Sequence, residues 1–179
     1  MQLGSSGYPR DPPKAAALFS QAAEHGSASA QSKLGRMLLA GEGVPQDAAR
    51  GLHWVQRAAD QGYAPAEYTM GVACQNGDAE GGLEAAASWF EKAAEAGIAA
   101  AQYELGVALI NGDGVAPGQV VEGAVWLHRA AAQGQRAAIS DLESLAQDPA
   151  WAEVDRAVQL LRSQEQEQMD LEMMVKDEL

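Results

Sequence analysis

Three histidines, one cysteine and a scatter of carboxylates are the side chains here best suited to hold a metal or carry a proton near neutral pH. Their spacing supports neither task. His25, His53 and His128 share no helical face with a cysteine or a carboxylate pair, so zinc-ligand spacing is absent and each reads as a surface histidine. Cys74 stands alone, which allows neither an internal disulfide nor a cysteine-built metal centre, and its expected role is a small buried apolar side chain. Asn111, Asp113 and Glu122 begin a calcium-loop series without completing it, which leaves a solvated turn. Gly41-Glu42-Gly43 and Gly112-Asp113-Gly114 look like pieces of a phosphate loop, but no strand precedes them and no Gly-Lys-Ser/Thr follows. Ser5, Ser6, Ser27 and Ser29 have no histidine at a telling distance and no nucleophile-elbow motif around them. No catalytic, cofactor-binding or metal site is expected, and the chain reads as one that acts by binding.

Composition sets the elements that must position such a binding surface. Hydrophobic residues make up 47% of the chain and aromatics only 6%, so alanine and leucine carry the burial, as they do in close-packed helices. Twelve basic residues against 25 acidic ones leave a net charge of -13, which repels phosphate backbones and acidic lipid and argues against a nucleic-acid partner. No run approaches the roughly 20 apolar residues of a membrane span, and MQLGSSGYPR has no signal-peptide core. A cytoplasmic monomer is expected, without membrane insertion.

The glycines reveal how the helices are ordered. Ala22-Ala23 precedes Gly26, Ala58-Ala59 precedes Gly62, Ala93-Ala94 precedes Gly97 and Ala130-Ala131 precedes Gly134, at intervals of 36, 35 and 37 residues. Four residues past each stands an alanine (Ala30, Ala66, Ala101, Ala138), and nine past the first three stands a second glycine (Gly35, Gly71, Gly106). Eight before each unit-final glycine come Leu18, Trp54, Trp89 and Trp126. The alanine, leucine and glycine of each first helix fall on one face, and the small residues let a neighbouring helix come close. Gly41 and Gly112 stop that helix, Asp47 offers a cap to the next, and Gly62 ends it. Each unit is therefore a helix-turn-helix hairpin that buries its apolar face only by stacking, and the fold class is all-α, an α-solenoid. The tryptophan column is expected to bury against the adjoining first helices.

AQSKLGRMLLAGEGVPQDAARGLHWVQRAADQG and AQYELGVALINGDGVAPGQVVEGAVWLHRAAAQG resemble the Sel-1-like repeat, a relative of the tetratricopeptide repeat. The likeness covers residues 1–147: a partial unit 1–26, full units 27–62, 63–97 and 98–134, and a degenerate piece 135–147. Gly51 and Gly123 depart from the alanine that the family favours, and NGDAEGG replaces the usual turn of the third unit. A capping helix over 148–163, with Trp151, Val154, Val158 and Leu161 on one face, and an acidic, disordered tail over 164–179 complete the expected organisation.

The resemblance implies a protein-protein interaction scaffold or adaptor whose first helices line a concave face. On that face a row formed by Arg36, Tyr68, Val72, Gln75, Tyr103, Val107 and Ile110 is the candidate site for a protein or peptide partner. The same tyrosines would also serve as packing between hairpins. Some cysteine-rich relatives are associated with β-lactam binding or hydrolysis, but they close each repeat with a cysteine pair that this chain lacks. A spacer or piece of a longer array is a further reading, since MQLGSSG resembles the turn of a unit whose first helix is missing. Lys176-Asp177-Glu178-Leu179 spells an endoplasmic-reticulum retention address, which would act only if a longer precursor supplied a signal peptide.

Overall fold

Asp11 opens the first helix by accepting the Lys14 amide at 3.1 Å, with Pro12 and Pro13 supplying the fixed φ of a helix start, and α1 runs Pro12–Glu24. Ser27 does the same for α2 (Ala28–Ala40), which ends where Gly41 turns left-handed at φ +70°. Asp47 then accepts the Arg50 amide at 3.0 Å and starts α3 (Ala48–Ala59). The alternation continues through α4 (Ala64–Asn76), α5 (Gly82–Glu95), α6 (Ala99–Asn111), α7 (Val120–Ala132) and α8 (Arg136–Leu145) to α9 (Trp151–Asp177). The computed structural model describes residues 11–116 and 118–177, and no strand occurs among them. MQLGSSG and the last two residues of the tetrapeptide address lie outside the described residues.

The chain divides into two compact units, Met1–Ile98 and Ala99–Leu179. In the first, Ala30, Leu34 and Leu38 of α2 and Ala66, Met70 and Cys74 of α4 are buried, as the column pattern requires. Gly35 and Gly51 bring α2 and α3 into backbone contact: a Cβ on Gly35 would stand 2.7 Å from the Gly51 carbonyl oxygen. The unusual glycine of the second helix is thus the counterpart of the glycine in the first.

The tryptophans correct an expectation. Trp54 and Trp89 are only half-buried, while the next residue along, Val55 or Phe90, is at most 2% exposed. One step along a helix turns a side chain by about 100°, which brings the following residue into the core and leaves the indole at its edge. There a cation three residues on covers it. The Arg57 guanidinium lies 4.9 Å from the Trp54 ring centroid and the Lys92 ammonium 4.1 Å from that of Trp89.

In the second unit α6 and α7 repeat the arrangement. Gly106 faces the Gly123 carbonyl, Leu127 fills the core, and Arg129 covers a half-buried Trp126 at 4.7 Å. α9 closes this unit by laying Trp151, Val154 and Val158 against α7. Leu161, expected on the same face, is 42% exposed and borders an open cavity with Val121, Val125 and Trp126 of α7 instead of closing on them. Beyond it the backbone stays helical to Asp177 where the sequence reading expects disorder, in keeping with the helix propensity of its glutamines and glutamates.

Candidate functional site

The row of candidate residues falls on the first helices, and its environment differs from member to member. In the first unit Arg36 is exposed on α2, and it lines a cavity of about 480 Å³ between α1 and α2. Lys33, one turn earlier, lines the same cavity with its ammonium 5.2 Å from the Phe19 ring centroid. On α4, Val72 is half-exposed and Gln75 exposed. Tyr68 is half-buried, its ring 5.9 Å from that of Phe90, which ties it into the α4–α5 hairpin.

In the second unit Tyr103 donates its hydroxyl to the Asp141 carboxylate at 3.0 Å, joining α6 to α8. Burial first, and then the neighbouring carboxylate, hold this phenol above its ordinary pKa, so it stays a donor. Val107 and Ile110 remain half-exposed and open on a cavity of about 300 Å³ that Leu127, Asp141 and Leu145 help to line. Ile110 also packs on Gly123, where an added Cβ would meet it at 2.8 Å. Both tyrosines therefore serve packing as well as surface, and Arg36 is the row's free cation in the sense that it makes no ion pair with a described residue.

The histidines, the cysteine and the carboxylates that suit chemistry best are scattered among the described residues. Cys74 is 2% exposed, its thiol donates to the Glu80 carbonyl at 3.3 Å, and burial pushes its pKa up, so it is poorly placed to react. His25 and His53 are exposed as expected. His128 is not, since it is half-buried with Nε2 3.3 Å from the Asp155 carboxylate of α9. Burial and the Arg162 charge lower its pKa against the opposing pull of Asp155. Among the described residues no three His, Cys, Asp or Glu side chains converge on one point. No helix among them is long and apolar enough to cross a membrane.

The repeating hairpins, with their facing glycines, match the pattern of the Sel1 repeat over residues 1–27, 28–63, 64–98 and 99–135. The chain belongs to the Sel1 repeat family. Its fold is similar to that of a Sel1 repeat protein from Oxalobacter formigenes, with 34% identity and a TM-score of 0.64 over 72% of this chain and 96% of that one. It is also similar to c5321, a protective antigen of uropathogenic Escherichia coli strains displaying an SLR fold, with 38% identity and a TM-score of 0.62 over 69% of this chain. The shared region spans only 26% of c5321. No curated protein matches the chain.

Two features of this Sel1 array escape a reading by columns. One is the amide pairing that locks first helices to second helices. Buried Gln31 donates to the Ala23 carbonyl at 3.1 Å and accepts from Gln61 at 2.6 Å, and Gln133 donates to Gln102 at 2.8 Å. The other is Lys33, whose place three residues before Arg36 on one helix is the signal that would have paired them.

Proposed function

We propose that this Sel1 repeat protein is a non-enzymatic scaffold that holds a partner protein or peptide against the first-helix rows of its units. The observation that carries this reading is the half-exposure of the row's apolar members, Val72 in one unit and Val107 and Ile110 in the other, beside columns that are closed to water. Apolar side chains held open next to a polar rim are the usual makings of an anchor pocket. Membership of a repeat family whose hairpins present long surfaces supports the same reading. A neutral or basic partner segment suits the net charge of -13, and its affinity should then weaken with salt.

The test combines Arg36→Glu, Tyr68→Ala and Tyr103→Ala. The variant is expected to keep its helical circular dichroism and to lose the proteins that the parent captures in a quantitative pull-down. Because both tyrosines also pack, Val107→Asp alone is the second arm, and it should weaken the same partners without unfolding the chain. Undiminished capture by both variants would move the binding surface elsewhere.

A further inference from the structure

α8 has ten residues where α6 has 13, and the alanines that set their register, Ala138 and Ala101, place the shortfall at the C-terminal end. The last turn of α6 therefore runs on past α8, and the cavity of about 300 Å³ opens beside it. Its walls are apolar. Leu127 is 1% exposed, and Val107, Ile110 and Leu145 pack against the same core, which fixes the cavity's shape before anything enters it. Sites for small molecules run from roughly 300 to 1,000 Å³, so one of this size suits a single long side chain.

The polar lining has one sign. Among the described residues that line the cavity, Asp141 is the sole charge, and Asn111 and Ser144 add side-chain oxygens that can accept. Asn111 donates its amide to Asp113 at 3.4 Å, which leaves its carbonyl oxygen as the acceptor. The Tyr103 hydroxyl engages one Asp141 oxygen at 3.0 Å and leaves the other for a second donor. A half-buried carboxylate beside an apolar wall is matched by a cation that brings its own apolar stem. We propose that this cavity seats one lysine side chain of a partner segment, its methylenes along Val107, Ile110 and Leu145 and its ammonium on Asp141. The seat rests on the scaffold role of the row and gives Val107 and Ile110 their ligand. Lysine fits better than arginine, because a compact ammonium is served by one free carboxylate oxygen, whereas a guanidinium fork takes two. Charge selects it as well: a lining of one carboxylate and no cation, on a chain of net charge -13, attracts a basic side chain and repels an acidic one.

The probe is an acetylated and amidated pentapeptide, GAKAG, titrated into the isotope-labelled full chain and followed by nuclear magnetic resonance. Amide signals of Val107, Ile110, Ser144 and Leu145 should shift and saturate with a dissociation constant of roughly 1 to 5 mM, as suits a single side chain. Peptides with norleucine, Nε-acetyl-lysine or arginine in place of the lysine should bind about fivefold weaker or worse. Asp141→Asn keeps an oxygen for the Tyr103 hydroxyl, and it should weaken the lysine peptide about fivefold while leaving the norleucine peptide unchanged. Ser144→Lys, at an exposed position three residues on, supplies Asp141 with a cation from its own helix and should compete to the same extent. It is the deciding variant if Asp141→Asn loses its helical circular dichroism. Shifts confined to other residues, a norleucine or arginine peptide that binds as well as lysine, indifference to both variants, or no saturation up to about 20 mM overturns the proposal. Any of these leaves the scaffold role standing as long as Val107→Asp still loses the partners that the parent captures. Undiminished capture by Val107→Asp and by the triple variant sinks the row and this seat together.

Discussion

At position 67 the array places a carboxyl where the corresponding residues of two other units, Gln31 and Gln102, carry an amide. Those glutamines are tied to Gln61 and Gln133, which stand one residue before the unit-final glycine, but the matching residue of the third unit is Ala96. Glu67 is 6% exposed, and burial raises its pKa against the opposing charge of Lys92. A carboxyl with a raised folded pKa stabilises the fold most below its unfolded pKa, and that contribution is lost as pH rises through the folded value. Glu67→Gln removes the loss and restores a donor that can reach back as Gln31 does. The variant is therefore expected to be more stable than the parent by about 1 kcal/mol at pH 7, with the gap closing at about pH 4. Urea midpoints at the two pH values check this, and a gap independent of pH would mean that the carboxyl's charge is irrelevant. The glutamine column was visible in the sequence, but its purpose was not. The partner amide lies 30 residues away beside a glycine that reads only as a stop, and nothing in local periodicity joins the two.

Between helices, the columns of small residues announced close approach and the structure contains it, down to the facing pairs Gly35–Gly51 and Gly106–Gly123. The tryptophan column was less legible. A reading by residue type assigns the largest apolar side chain to the core, whereas the helix turns Phe90 inward and leaves Trp89 beneath the Lys92 ammonium. Phe90→Ala should therefore cost about 3–5 kcal/mol through lost transfer energy and a cavity against Gly71. Trp89→Ala should cost only about 1–2 kcal/mol. Chemical denaturation of the two variants side by side decides between the columns, since equal losses would show that the indole is the true wedge. The candidate row was legible in position and not in environment. Whether Tyr103 faces a partner or Asp141 depends on a contact with α8, 38 residues further on, which no pattern within α6 encodes.

Taken as one charged body, the protein has 25 acidic and 12 basic residues, and a contact such as Arg50–Asp47, at 3.9 Å and largely exposed, offsets little of that imbalance. Self-repulsion then outweighs attraction, and screening should help the folded state. Raising sodium chloride from about 20 to about 300 mM should lift the melting temperature by about 2–5 °C in a calorimetric scan, and a fall would mean that ion pairs dominate after all. The four tryptophans, meanwhile, divide the molecule for a spectroscopist. Trp54, Trp89 and Trp126 each sit at the water's edge beneath a cation, while Trp151 is sealed at the start of α9 with 8% exposure. A sealed indole emits further to the blue than a hydrated one and is harder for an aqueous quencher to reach. The blue edge of the intrinsic emission therefore belongs to α9, and its departure during denaturation would time the uncovering of α7 without any attached dye.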